Sequence, residues 1–407
     1  MEVVYKRVCG IDIHKKQITI CIIINGAKEF HMFGTTTGEL LDFCGLLKDK
    51  GVEISAMEST ASYWKPVYNL MEVEGLSAIL VNAQHIKNVP GRKTDVKDSE
   101  WIADLLRHGL LRPSFVPPRD HRELREIVRY RASIVDERAR EINRMEKVLQ
   151  GANIKLTSAI SSVTTASGMD MIRAISEGVT DSSVLAAFAR GNMKAKTEEL
   201  KKTLDGLVQE HQRTILKSML DHIEFLSEQV QGLDEDIYRR LEESGDLIER
   251  LDEIPGVGRR SAEVIIAEIG TDMSQFPSAA HLASWAGVCP GNNKSAGKNK
   301  SGKTRKGNPT LKKTVIQCAK SAGRTKNTYL GSLYKRIAAR RGANRAAVAV
   351  GHAILKICYH MIRDGSSYAD LGADYFNSRN EDYIVKSSKR RLESLGYTVI
   401  IEKADAA

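Results

Sequence analysis

The sequence holds six cysteines, at positions 9, 21, 44, 289, 318 and 358, and no two of them stand at the short spacing that zinc sites use. Most lie inside apolar stretches, so reduced core thiols are expected. No apolar run approaches the length of a membrane span. The first residues lack the charged-then-apolar order of a secretion signal, and a cytoplasmic protein is expected. Acidic residues are missing between Lys294 and Lys313, a stretch that carries Lys294, Lys298, Lys300, Lys303, Arg305, Lys306, Lys312 and Lys313. A bare charge run is usually a solvated face. This one is broken by Gly, Ser and Asn, which can bring backbone amides close to phosphate. The whole chain, with 61 Lys and Arg against 51 Asp and Glu, carries a net charge of +10, which favours a polyanionic partner. Its 407 residues suggest two or three domains.

What is present is clearest near the start. Val8-Cys9-Gly10-Ile11-Asp12-Ile13 is a buried run, followed by the alternating Gln17 to Ile22, and both spacings predict strands. Asn25-Gly26 supplies the positive φ angles of a tight hairpin turn, returning a third strand through about Lys28 to Phe33. Thr36 or Thr37 caps a helix whose apolar positions Leu40, Leu41, Cys44 and Leu47 recur with helical period. A strand over roughly 53 to 57, a helix from Ser62 to about Glu74, the strand Ala78 to Val81 and a helix carrying Trp101, Ile102, Leu105 and Leu106 follow.

Four carboxylates punctuate this segment: Asp12 and Glu58 at strand ends, Asp95 and Asp98 opening a helix. Taken singly, an Asp near a strand end is commonly a turn former, and Asp95 or Asp98 could cap the helix. Asp12 is the strongest case, because it interrupts an apolar strand where an unpaired charge is costly. His14 and Lys15 read as solvated turn residues. The element order resembles the ribonuclease H and RuvC nuclease fold, in which the first strand lies beside the fourth. That resemblance implies that Asp12 and Glu58 sit side by side while Asp95 and Asp98 approach from a helix above. Four carboxylates so gathered suit two divalent ions, Mg2+ or Mn2+, acting on a phosphodiester.

After Pro117-Pro118 the sequence becomes an Arg-rich helix from about Asp120 to Leu149, and a second helical stretch from roughly Thr197 to Glu243 shows a heptad seam at Ile223, Leu226, Val230, Leu233 and Ile237. Heptads alone do not set the partner, so pairing within the chain and pairing between subunits are both open. The region from 151 to 195 predicts short helices. At Ile254-Pro255-Gly256-Val257-Gly258 the chain looks like a helix-hairpin-helix. Gly256 and Gly258 either expose amides to a DNA phosphate or serve packing alone. A helix begins near Pro309, and Lys335, Arg336, Arg340, Arg341 and Arg345 offer further phosphate contacts. The helix from about Arg345 to Ile362 reads as core.

Five motifs together resemble transposases of the insertion-sequence-110 family: Gly10-Ile11-Asp12-Ile13-His14-Lys15, Met57-Glu58-Ser59-Thr60, Lys93-Thr94-Asp95-Val96-Lys97-Asp98, Ile254-Pro255-Gly256-Val257-Gly258, and Leu282 through Trp285 to Lys298. The match runs in order over most of positions 5 to 364. It implies a RuvC-like DEDD domain at 1–116, a helical coiled-coil arm at 117–250 and a mainly α C-terminal domain at 251–364 with a nucleophilic serine, followed by a peripheral tail at 365–407. Carried onto this chain, the acidic tetrad falls on Asp12, Glu58, Asp95 and Asp98 and the serine on Ser295. Ser301, with nearly the same neighbours, is the competing assignment.

The resemblance further implies donor and target DNA, a noncoding bridge RNA that guides the enzyme to both, a homodimer assembling to a tetramer, and a bacterial or archaeal host. A serine hydroxyl activated beside metal ions can attack phosphorus and leave a phosphoserine-DNA linkage, with Lys294 and Lys298 stabilising charge on the phosphoryl oxygens. A RuvC-like junction-resolving endonuclease, in which water attacks and Ser295 only binds DNA, is the rival reading. A packaging protein that keeps the fold without metals is a third.

Overall fold

Asn25 and Gly26 both take positive φ, 49° and 97°, and fold β1 (Arg7–Ile13), β2 (Gln17–Ile24) and β3 (Ala27–Gly34) into an antiparallel meander. These coordinates belong to a computed structural model that describes residues 2–59, 61–82, 98–290, 293–295, 298–301, 303–379 and 381–401. The chain continues through α1 (Thr37–Asp49), β4 (Ile54–Glu58), α2 (Trp64–Val73), β5 (Ala78–Val81) and α3 (Asp98–Arg107). At the start of α1 the Glu39 carboxylate accepts from both the amide and the hydroxyl of Thr36, at 3.1 and 2.6 Å. The sheet order is β3-β2-β1-β4-β5, with β1, β4 and β5 parallel. The first strand thus lies beside the fourth, as expected from the element order.

Both faces of the sheet are covered, which explains why β2 is apolar at nearly every position. Cys9, Ile11, Ile13, Ile18, Ile20 and Ile22 pack with Phe43 and Leu47 of α1 and Met71 of α2. Val8, Cys21, Ile23, Ala56 and Val81 pack with Ile102, Ala103 and Leu106 of α3. α3 lies against β1 because Gly10 has no side chain: a Cβ there would stand 2.1 Å from the Ser99 carbonyl and 2.4 Å from the Ala103 amide. Both neighbours are backbone, so Gly10→Ala is expected to cost about 1–3 kcal/mol of unfolding free energy in the N-terminal unit. Urea denaturation of variant and parent checks this, and an unchanged midpoint would refute the close approach.

The chain divides into two compact units, Met1–Val116 and Pro117–Ala407. The second is mainly helical, as expected. Its arm is α4 (Arg119–Gly151) packed on α7 (Glu210–Arg240). Ion pairs and hydrogen bonds step in opposite directions along the two helices, from Arg240–Glu123 through Arg131–Asp234 and Arg138–Ser227 to His222–Glu141. The seam residues Leu226, Val230 and Leu233 therefore meet Ile134 and Val135 of the same chain in an antiparallel pair. The expected single helical stretch from Thr197 to Glu243 is in fact broken: α6 (Thr197–Leu204) ends before α7 begins. Gly206 causes the interruption, since it presses so closely on Ala152 that a Cβ would lie 2.5 Å from the Ala152 carbonyl oxygen, while the Leu207 amide donates to that oxygen. Short helices, including α5 (Ala166–Ser176), gather Met171, Ile172 and Ile175 with Met145, Leu149, Leu216 and Leu220 into a core at the arm's end.

The rest of the unit is built from α8 (Gly245–Asp252), α9 (Arg259–Ile269), α10 (Ala279–Trp285), the hairpin strands β6 (Asn293–Ser295) and β7 (Lys298–Ser301), α11 (Pro309–Ala322), α12 (Tyr329–Arg341) and α13 (Ala343–Asp364). Beyond Asp364 the chain is fastened to α12. Asp370 accepts from the Tyr329 amide at 2.9 Å and from the Tyr368 hydroxyl at 2.8 Å, and Phe376 stacks on Tyr329. The last helix, α14 (Glu381–Glu393), buries no side chain. All six cysteines are free, and five are buried. Among the described residues no helix is long and apolar enough to cross a membrane.

Candidate active site and nucleic-acid interface

Asp12 and Glu58 each stand one residue beyond a register pair, Ile11 with Met57, at the ends of the adjacent parallel strands β1 and β4. Alternation assigns their face: Gly10 and Ala56, two residues earlier, lie under α3, so Asp12 and Glu58 belong to that same face. α3 runs back along β1, since the Ser99 carbonyl sits over Gly10 and the Arg107 carbonyl accepts from the Val4 and Tyr5 amides at 2.9 and 3.3 Å. Its Asp98 end therefore lies at the Asp12 end of β1. Three of the four sequence-assigned acids thus occupy positions at the same end of one face, without their side chains closing into a metal-holding group among the described residues. Asp95 lies outside the described residues.

Asp12 is 24% exposed, and its Oδ2 stands 3.2 Å from Nε2 of His14. His14, read from the sequence as a solvated turn residue, is exposed but also orients this carboxylate. The donors are hard oxygens, the kind that suits magnesium or manganese. Among the described residues, no group of three or more His, Cys, Asp or Glu side chains could hold a metal ion.

In the second unit, Ser295 and Ser301 fall at opposite ends of the β6–β7 hairpin. Ser295 pairs with Lys298, Lys294 with Asn299, and Ser301 with Asn293, with an irregular step between Asn293 and Lys294. The hairpin rises from a clasp. Pro290 bridges Thr304, the Arg305 amide donates to the Cys289 carbonyl at 3.4 Å, and the Asn308 amide donates to the Trp285 carbonyl at 3.3 Å. Gly287, at φ 74°, crosses Gly307 so closely that a Cβ on Gly307 would stand 2.4 Å from the Gly287 nitrogen. Lys300 lies on β7, and Lys303, Arg305 and Lys306 are exposed on the descending strand. Lys312 and Lys313 are held internally, by the Thr304 hydroxyl and by Asp136 of the arm.

The base of the clasp rests on Glu268, a side chain fully buried on α9. Glu268 takes a two-pronged bond from Arg129 of α4, 2.7 Å at each oxygen, and a bond from the Asn308 amide side chain. Asn308 in turn caps α11, its Oδ1 accepting from the Leu311 amide at 3.0 Å. Arg125 stands 3.5 Å from the same carboxylate and lies over the Trp285 ring. Burial pushes the Arg125 guanidinium down to about 10, which leaves it charged at neutral pH, while hydrogen bonding to Glu268 holds Arg129 up.

Gly256 has φ 87°, and a Cβ there would meet the Cys318 carbonyl at 2.4 Å and the Ala322 amide at 2.5 Å. Close packing on α11 thus accounts for this glycine. Gly258 sits at the start of α9. Arg259 and Arg260, in the first turn of α9, pair with Glu263 and, for Arg260, with Asp234. Lys335, Arg336, Arg340 and Arg341 lie on α12 and Arg345 on α13, where Arg336 stacks over Phe376. A signal for this basic surface was present but longer than the run noted above: no Asp or Glu occurs from Met273 to Arg363.

Two family models match the chain. One, for DEDD-type transposases of IS110 and described as a transposase, covers residues 9–154. The other, described as the transposase IS116/IS110/IS902 family, covers residues 248–335. The matches together span more than half of the sequence, and the protein belongs to the IS110/IS116 family of transposases. Relatives include an uncharacterized 43.6 kDa protein of insertion element IS110 from Streptomyces coelicolor, 32% identical over 38% of this chain and 38% of its own length. An uncharacterized 44.8 kDa protein of insertion element IS116 from Streptomyces clavuligerus is 26% identical over 62% of this chain and 71% of its own. A putative transposase, y4pF/y4sB, from Sinorhizobium fredii is 29% identical over 34% of this chain and 37% of its own.

Proposed function

We propose that this protein is a transposase that cuts and rejoins DNA at the ends of its own insertion element through a phosphoserine intermediate, guided by a noncoding bridge RNA. The observation that carries the reading is the gathering of Asp12, Glu58 and Asp98 at one end of one sheet face. Asp12, Glu58, Asp95 and Asp98 would hold Mg2+ or Mn2+, and when bound the ions would lower the cost of charge on the attacking and leaving oxygens. His14 keeps the Asp12 carboxylate oriented. The Ser295 hydroxyl attacks the phosphorus and loses its proton, and the 3′ oxygen leaves and takes one up, giving a phosphoserine linkage and a free 3′ hydroxyl. The linkage conserves the phosphodiester's energy, so a 3′ hydroxyl from another strand can reverse the step and join DNA without ATP. Lys294 and Lys298 neutralise charge on the phosphoryl oxygens, and Lys300, Lys303, Arg305 and Lys306 bind flanking phosphates. A homodimer assembling to a tetramer would bring the strands together.

Trapping on a nicked DNA substrate in magnesium tests this. Wild-type protein is expected to form a denaturation-resistant protein-DNA adduct, Ser295→Ala none, and Ser301→Ala an undiminished amount. Cleavage without any adduct, unaffected by Ser295→Ala, would identify a water-using junction endonuclease instead. Guidance is checked separately by sequencing the RNA that copurifies: a single transcript encoded beside the gene is expected, and random cellular RNA would remove that element of the proposal.

A further inference from the structure

The register that lines up the carboxylates also sets two exposed apolar side chains beside them. β3 is the edge strand of the sheet, and on the face shared with α3 its Phe30 stands opposite Cys21 and its Met32 opposite Thr19. Thr19 is itself the partner of Asp12, and Cys21 the partner of Gly10. One row across the sheet therefore reads Asp12, Thr19, Met32, and the next reads Gly10, Cys21, Phe30. α3 covers β1, with β2 and β4 beside it, and reaches β3 through the Lys28–Glu100 ion pair at 2.7 Å. Phe30 stays 51% and Met32 65% exposed. Their neighbour Phe33 points to the other face and packs edge-on against Phe43 of α1 at 5.8 Å. Two large apolar residues left open on an edge strand are an aggregation liability, which a covering partner would remove.

We infer that Phe30 and Met32 form a stacking platform for a nucleobase of the DNA strand whose phosphodiester is held at Asp12 and Glu58. This rests on the proposed transposase reading. Position favours it: at roughly 4.8 Å per strand, Met32 lies about 10 Å from Asp12, the reach of a neighbouring nucleotide. Charge favours it too. Phosphate belongs at the acids only through bound cations, and the neutral base is left to the uncharged surface beside them. An aromatic ring and a thioether offer such a base a sequence-tolerant surface. The cations that the adjoining phosphates require stand at the same end of the sheet. Lys15 and Lys16 are exposed in the β1–β2 turn, and the Thr35 hydroxyl, just past β3, donates to the Lys15 carbonyl at 3.1 Å.

The test uses the full-length protein and oligothymidylate, plain for affinity and substituted with 5-iodouracil for photocrosslinking, without divalent ions. Crosslinks are expected to map to Phe30 or Met32. Phe30→Ala with Met32→Ala should weaken binding by at least about fivefold, and Phe30→Trp should retain it. Because no phosphate contact is lost, the slope of log affinity against log salt should stay the same, whereas Lys15→Ala with Lys16→Ala should flatten it. Crosslinks absent from β3, or unchanged affinity in the double alanine variant, would overturn the platform. So would a shift of that variant to a smaller oligomer in sedimentation with binding intact, which would assign the face to a second copy of the chain. The two readings fail differently. Crosslinks at β3 in a wild-type protein that never cuts DNA in magnesium would sink the transposase reading alone, while normal cutting with normal binding by the double variant would sink the platform alone.

Discussion

Asp12→Asn is expected to lower strand cleavage by on the order of 10^3-fold, equivalent to about 4 kcal/mol of transition-state stabilisation, while leaving the fold intact. The separation follows from where the residue sits. Asp12 ends a strand whose other positions are held by core packing, and its partner is the exposed imidazole of His14, so removing its charge strands no buried cation. The asparagine has nearly the same shape and still accepts a hydrogen bond from His14. What it loses is one anionic oxygen at the end of the sheet where Glu58 and Asp98 also stand. A nicking assay in magnesium and in manganese, beside a thermal melt, checks both halves. Cleavage within tenfold of wild type at an unchanged melting temperature would mean that the carboxylate end of the sheet is not where DNA is cut.

Much of the N-terminal unit was legible because its signals are local. Asn25-Gly26 permits one turn geometry, Thr36 and Glu39 mark one helix start, and the apolar runs at Val8 and Gln17 have the strand period. Asp12 stood out because a charge inside an apolar run needs a reason. Tertiary contacts were not legible. Gly10 looked like one more residue in a buried strand, yet its missing side chain lets α3 settle on β1 and bring Asp98 toward Asp12. His14 looked like a turn residue, because nothing in the sequence says that its ring faces back along β1. In the arm, the heptad seam was visible but its partner was not, since the same spacing serves pairing within or between chains. The break at Gly206 was missed because helical periodicity persists on both sides, and only the contact with Ala152 shows why the chain turns there.

Glu268 illustrates a further kind of invisibility, an acid that reads as one more polar position on α9 and proves to be the anchor of the serine-bearing loop. Glu268→Ala is expected to cost about 3–5 kcal/mol and to lower the melting temperature of the C-terminal unit by on the order of 10 °C. The carboxylate is fully buried and is shared by Arg129, Arg125 and the capping residue Asn308. Its removal takes the carboxylate away from the 11%-exposed Arg125 and the neighbouring Arg129, and takes the Glu268 acceptor from the Asn308 amide. Arg129 is 44% exposed and can turn to water, which moves the cost toward the lower figure. Glu268→Gln should fall between, because it keeps an acceptor but not the charge. Replacing Arg129 with Met in the Glu268→Ala background should recover part of the loss by removing one of the two cations that Glu268 faced. Chemical denaturation of the three variants decides the matter: equal midpoints for all of them and wild type would show that α4 and the clasp are held by apolar packing alone.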